Sequence, residues 1–213
     1  MNPEAPKTPR SKVMFGDVSL PPGGVKIAKA FRTLLETKNF EFITTAEIAA
    51  ASGMTEALIY KYFRSKREML YSLMLEFHNV YYAYVQASLE GIDGSLEKLR
   101  KIIWGHVNIY EQDPVYGRLL ILELGALQGF HDSAAYKKIK NDYSALFKNI
   151  IEKGMQDGEI RNDVSARSIR QGILGMVHYM CLPGIIFGRK IVTDEITNDI
   201  CEIIFSGIRK KDS

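Results

Sequence analysis

Cysteine, histidine and tryptophan are scarce in this 213-residue chain, with two, four and one respectively. Cys181 and Cys201 are too few and too far apart for a disulfide scaffold or a cysteine-rich metal site, so a reducing, cytoplasmic setting is the default. No cysteine–histidine motif suited to nucleophilic catalysis is present. His106 and His178, with Glu123 as a third group, invite a metal reading, but their separations form no local metal motif. Core or interface histidines are expected instead, with no metal and no cofactor. Glu111 and Asp113 straddle a helix end and make no carboxylate pair for acid–base work, so no catalytic residue and no enzyme is expected. Long hydrophobic runs are missing too. ILGMVHYMCLPGIIF (173–187) falls short of the roughly 20 residues of a membrane span and contains His178 and Pro183; it reads as a helix buried between protein surfaces. MNPEAPKTPRSKVMFGD lacks the apolar core of a signal peptide. Alternating strand patterns longer than a few residues are also absent, which leaves an all-α protein.

What is present is a basic front on a nearly neutral body. Residues 1–70 carry eleven Lys/Arg against seven Asp/Glu, whereas the remainder carries seventeen against eighteen. Such a front permits a polyanion partner. Five of the seven prolines fall within residues 1–22, which read as a flexible, weakly basic arm. Gly23-Gly24 then leads into Val25, Ile27, Phe31, Leu34 and Leu35, a helical spacing to about residue 38, and Asn39 is expected to close that helix in left-handed geometry. Thr44 with Glu47 is a capping-box pair opening a short helix over 45–51. Gly53 supplies a turn, Thr55 caps a third helix over 56–61, and Ser65 caps a long fourth one reaching about Leu89, ended by Gly91 and Gly94. Further helices are expected over 95–111, 115–128, 133–156, 165–187 and 193–207, about nine in all. The expected organisation is an arm (1–22), a helix-turn-helix head (23–70) and a larger helical body (71–213).

Helices of six or seven residues are not stable alone, so tertiary contacts must hold them. Ala49, Ala50, Ala51 and Gly53 let the second and third helices approach closely, and Ile48, Leu58 and Ile59 face the first. The product is a helix-turn-helix, whose exposed second member can enter a DNA major groove. Thr55 stands where a hydroxyl and free backbone N–H groups meet a phosphate. Tyr60, Lys61 and Tyr62 lie at the far end of the same helix, and Lys66 opens the fourth helix with a cation for the backbone. Glu56 and Ala57 are placed to face bases, since glutamate accepts from cytosine N4–H and an alanine methyl meets a thymine methyl.

TTAEIAAASGMTEALIYKYFRSKREML (44–70) resembles the DNA-binding region of the TetR family of transcriptional regulators, and the likeness begins at about residue 27. Thr44, Ile48 and Ala49 match the family pattern, Ser52-Gly53 stands for its Ala-Gly, and Tyr60, Phe63, Ser65, Lys66, Glu68 and Leu70 fall at corresponding positions. The resemblance implies a dimeric regulator, usually a repressor, that leaves DNA when a small molecule binds its C-terminal domain. It implies phosphate contacts for Thr55, Tyr60 and Lys66, a DNA-side position for Thr44, and interhelical packing for Phe63. Ala57 and Leu58 replace a common glycine and a common Thr or Ser, so base readout is expected to differ; Asn39 replaces a common glycine.

The body carries more apolar and aromatic residues than one exposed face requires. Trp104, Tyr110, Leu120, Glu123, Leu127, Tyr143, Phe147 and His178 are candidates to line an effector pocket for an apolar or amphipathic small molecule. The last two helices are expected to pair two subunits in a four-helix seam through apolar stripes that include Ile196, Ile200, Ile203 and Ile204. Paired heads would meet an inverted-repeat operator, and effector binding would shift the fourth helix and disturb both heads. One rival reading is a helical protein-interaction module without operator binding; a small-molecule enzyme is a third, disfavoured by the lack of a catalytic constellation.

Overall fold

The computed structural model describes residues 20–124, 127 and 129–210. The arm expected over 1–22 therefore lies almost wholly outside the described residues. Among the described residues there are nine α-helices and no strand beyond an isolated bridge between Ile160 and Arg209. The chain separates into two compact units. One takes in the described residues up to Val80 together with those of 127–136; the other takes in the described residues of 81–126 and of the chain from Lys137 onward.

In the first unit, α1 (Pro22–Thr37) starts earlier than its apolar spacing suggested. Proline suits the first helical turn because its missing N–H is unneeded there, and the glycine pair lies inside the helix. A Cβ on Gly23 would stand 2.5 Å from the Tyr62 hydroxyl, so glycine here admits an aromatic ring against the helix. Asn39 does not close α1 in left-handed geometry. Lys38 ends the helix, Asn39 is extended at φ −70°, and no described non-glycine residue has positive φ. The chain must run straight on because a 3₁₀ turn, Phe40–Phe42, follows at once and packs Phe40 edge-on to Phe31, with ring centroids 6.3 Å apart.

α2 (Thr45–Ser52) carries both halves of the capping box between Thr44 and Glu47. Gly53 at φ 63° turns the chain, a left-handed geometry that costs glycine nothing. α3 (Glu56–Tyr62) is capped by Thr55, whose hydroxyl accepts from the Leu58 amide at 3.2 Å. α4 (Lys66–Ser88) follows, with the Ser65 hydroxyl accepting from the Glu68 amide. Ile27, Phe31, Ile48, Ile59, Phe63 and Leu70 are buried at the core of this unit. Phe130, from the later segment, lies 5.3 Å from the Tyr71 ring.

In the second unit α5 (Ser95–Gln112) packs against α8 (Ala166–Phe187) and α9 (Thr193–Ile208), which also pack on each other. Gly94 has no side chain to cap α5. The Glu159 carboxylate does so instead, accepting from the Ser95 and Leu96 amides at 2.9 and 3.2 Å. The apolar stretch expected as one helix over 115–128 breaks into α6 (Pro114–Arg118) and a π-helical turn over Leu119–Glu123. α7 (Ala134–Gln156) then leads, through a turn at Gly158, to α8, which Ser165 caps. No helix among the described residues is long and apolar enough to cross a membrane.

Candidate nucleic-acid interface and effector core

α3 has two sides. Ile59 is buried on one, with Phe63 just beyond the helix, while Glu56, Ala57, Tyr60 and Lys61 are exposed. Positions i, i+1, i+4 and i+5 share a helix face, so these four side chains form one surface beside the exposed Thr55 cap. Tyr60 is 53% exposed, too much for a core tyrosine. This is the face the sequence pattern assigned to bases and backbone.

Three residues assigned to DNA are otherwise engaged. Tyr62 sits three residues from Ile59 and so turns inward, its ring against Gly23 and Gly24 of α1. The Thr44 hydroxyl, though exposed, is committed to Glu47, whose carboxyl is held down at about 2 by the Lys38 ammonium and by Thr44. Lys66 is the most fully engaged of the three. Its ammonium donates to the carbonyls of Phe40 at 2.8 Å, Glu41 at 3.3 Å and Ile43, and lies 4.4 Å from the centre of the Phe40 ring. Its three donors are therefore spent on carbonyls of the 3₁₀ turn and of Ile43 just after it, the Phe40 oxygen also accepting from the Ile43 amide, and burial lowers its pKa. Lys66 binds the start of α4 to the segment before α2 instead of reaching outward.

Other cations, which sequence reasoning passed over, stand near the turn and the end of α3. Arg64, directly after Phe63, is exposed, and the Lys26 ammonium comes within 3.7 Å of the position a Cβ on Gly53 would occupy, beside the turn. The excess of Lys and Arg in residues 1–70 was their only signal. Phe42, 72% exposed next to the buried Phe40, had none.

In the second unit the candidate pocket residues divide. Tyr110 and Phe147 are buried, and the Tyr110 ring stands 6.0 Å from His178. Tyr143 and Phe147 meet at the buried His106, at 5.0 and 6.4 Å, and Tyr81 stands edge-on to the same imidazole at 6.1 Å. His106 is thus the centre of the second group, a buried core histidine as its sequence setting suggested. Burial pushes the phenols of Tyr81, Tyr110, Tyr116 and Tyr143 well up, so all stay protonated at neutral pH. The Tyr110 hydroxyl is buried without a hydrogen-bond partner among the described residues. The remaining candidates have other partners or positions. Trp104 donates to Asp194 at 2.8 Å, a link between α5 and α9 at the surface, because its position on α5 turns it away from the Tyr110 side. Glu123 is paired with Arg118 at 3.0 Å, so its charge is already answered. Leu120 is half-buried in the π turn, and Leu127 belongs to the other compact unit.

No group of three or more potential metal ligands occurs among the described residues. His106 is instead a neutral core histidine. Its Nδ1 lies 2.9 Å from the Ile102 carbonyl, which can only accept, so Nδ1 carries the proton and Nε2 offers a lone pair. Burial, more than the neighbouring His178, depresses its pKa from 6.5 to about 4. Between these values the unfolded chain binds more protons than the folded one, so stability present above pH 6.5 is lost as pH falls towards 4. At about 1.4 kcal/mol per pKa unit the loss at pH 4 should be about 3 kcal/mol. Thermal melts of the wild type and His106→Gln across this range should diverge by that amount; parallel profiles would mean an imidazole open to solvent.

The chain matches two family models: bacterial regulatory proteins of the tetR family over residues 27–73, and the tetracyclin repressor-like C-terminal domain over residues 93–182. The fatty acid metabolism regulator protein of Bacillus subtilis (strain 168) is 23% identical over 190 residues, covering 89% of this chain and 97% of its own. Among solved structures, the B. subtilis transcriptional regulator FadR in complex with stearoyl-CoA has a TM-score of 0.77 at 23% identity, covering 86% of this chain and 98% of that one. AibR, in complex with isovaleryl coenzyme A and operator DNA, has a TM-score of 0.67 at 18% identity, covering 86% and 98%. At these identities the structural likeness speaks for the fold.

Proposed function

Because the chain belongs to the TetR family of bacterial regulatory proteins, we propose that it is a cytoplasmic, non-enzymatic repressor that an acyl-coenzyme A effector releases from an inverted-repeat operator. The observation that carries this reading is the α3 face, where Glu56, Ala57, Tyr60 and Lys61 stand exposed beside the Thr55 cap while Ile59 anchors the helix. Glu56 and Ala57 meet base edges; Thr55, Tyr60 and Lys61 meet the sugar-phosphate backbone, with Arg64 and Lys26 adding charge at its ends. The head spans 23–70, and 71–213 provides the effector site and the subunit seam.

The acyl-coenzyme A class is supported by the ligands of FadR and AibR and by the chemistry of the body's interior. Neutral phenols and a neutral imidazole suit an acyl chain with an uncharged thioester better than a free carboxylate, whose desolvation they would not offset. The unpartnered Tyr110 hydroxyl is the donor for its carbonyl oxygen. α4 is the route of response, since it opens in the head and its last turns carry Tyr81, which faces His106. The effector must bind the released state more tightly than the DNA-bound state, in proportion to the shift it causes.

Fluorescence anisotropy on a selected operator fragment tests this directly. Saturating acyl-CoA should weaken operator binding at least tenfold, a coupling of about 1.4 kcal/mol or more, while coenzyme A alone should not. Operator affinity indifferent to acyl-CoA of every chain length would remove the effector class. No sequence preference at moderate salt would instead favour a helical interaction module without an operator.

A further inference from the structure

α7 and α8 enclose a cleft of about 370 Å³ on the surface of the body. Ser144, Lys148 and Glu152 line it from α7, and the cap Ser165 with Arg167 and Arg170 from the start of α8. Three cations thus face one carboxylate. That carboxylate, Glu152, meets Lys148 only at 3.9 Å in an exposed pair, a contact of little strength. Arg170 is half-buried and its guanidinium is fixed by donation to the Ser144 hydroxyl, while Arg167 is exposed and makes no ion pair with a described residue. Like charges gathered in a concave site raise the local potential and favour an anion there.

The cleft shares a helix wall with the aromatic interior. Ser144 and Lys148 directly follow Tyr143 and Phe147, and consecutive residues point about 100° apart around a helix. α7 therefore turns Tyr143 and Phe147 towards His106 and turns Ser144 and Lys148 into the cleft. The apolar chain and the anionic head of one ligand would thus lie against adjacent faces of this one helix. On α8, Arg170 and the 78% exposed Tyr179 are nine residues apart, two and a half turns, hence on opposite sides. Pairing of subunits through the Tyr179 face leaves the cleft open.

We propose that this cleft is the phosphate-binding site for the coenzyme A portion of the effector, with Arg167, Arg170 and Lys148 as its cations. The inference rests on the acyl-coenzyme A reading, and the test separates the two. Wild type and a Lys148→Gln, Arg167→Gln variant, both changes at exposed positions, are titrated calorimetrically at low salt with three probes. These are acyl-CoA, the acyl N-acetylcysteamine thioester of the same chain, which lacks every phosphate, and coenzyme A alone. The variant should bind acyl-CoA about tenfold more weakly, bind the phosphate-free thioester as the wild type does, and keep its melting temperature and operator affinity. Equal acyl-CoA affinity in both proteins overturns the site while leaving the acyl reading intact. If the wild type binds neither thioester, the acyl reading fails and coenzyme A alone decides. Binding that weakens in the variant keeps the cleft as a site for a free phosphate-bearing anion, and no binding overturns it.

Discussion

A Tyr179→Asp, Ile203→Asp variant is expected to sediment as a folded monomer and to bind operator at least about 100-fold more weakly than the wild type. Tyr179 on α8 and Ile203 on α9 are 78% and 58% exposed, and Ile186 and Phe187 continue the apolar surface. Gly175 and Gly207 are also open, with nothing within 4 Å of an added Cβ, so a second subunit can approach the backbone closely. Surface of this kind marks an interface, and a pair of aspartates buried there would meet each other's like charge without a partner. Losing the seam removes the tether that makes the second half-site contact intramolecular, an advantage typically worth 10²–10⁴ in roughly this setting. Because both side chains project from the protomer's surface, the helical content should hold, and the melting temperature should fall only by the contribution of subunit association. The expected stripe also included Ile200, but that residue is fully buried within the protomer; Ile200→Asp would unfold the body instead of dividing the dimer. A double variant that stayed dimeric would place the seam elsewhere.

Lys66→Met should destabilise the head by about 3 kcal/mol while leaving the salt dependence of operator binding unchanged. The substitution keeps the aliphatic stem over Phe40 but strips the carbonyls of Phe40, Glu41 and Ile43 of a charged donor. Hydrogen bonds to charged groups contribute about 1.5–3 kcal/mol, and unsatisfied carbonyls cost more of the same order. A phosphate contact behaves differently: its loss reduces the slope of log K against log salt by about 0.9. Arg64→Gln is expected to show that loss of slope with little change in stability, since Arg64 is exposed. Anisotropy titrations over a salt series, paired with urea melts, separate the two. A reduced slope for Lys66→Met with an unaltered melt would return Lys66 to the DNA.

The features legible in the sequence were those fixed by neighbours along the chain. The Thr44–Glu47 capping box, the turn at Gly53 and the Thr55 cap depend on residues within four positions of one another, and all three are present. The contacts of Tyr62 and Lys66 were not legible because their partners, the Gly23–Gly24 pair and the carbonyls of Phe40, Glu41 and Ile43, are more than 20 residues away, and no local pattern encodes such contacts. Asn39 has the right chemistry for a left-handed cap, but burial of Phe40 against Phe31 requires an extended path. On α9, apolar periodicity correctly marked a helix but could not tell the inward Ile200 from the outward Ile203, since both faces are apolar. Trp104 looked like a pocket residue by type alone, whereas its indole N–H finds Asp194 on another helix. His106 shows the converse: its i−4 carbonyl bond was local, but the aromatic shell that makes it central to the body comes from α4 and α7.

Selection of the protein's preferred sites from fragmented genomic DNA, followed by footprinting of the recovered sequence, bears most directly on the claim that paired α3 helices read an operator. The account predicts one recovered motif with two-fold symmetry, its half-sites protected in major grooves whose centres lie about 34–36 Å apart or a multiple of that. Recovery of unrelated fragments, or of an asymmetric motif footprinted at a single half-site by a dimer, would contradict it.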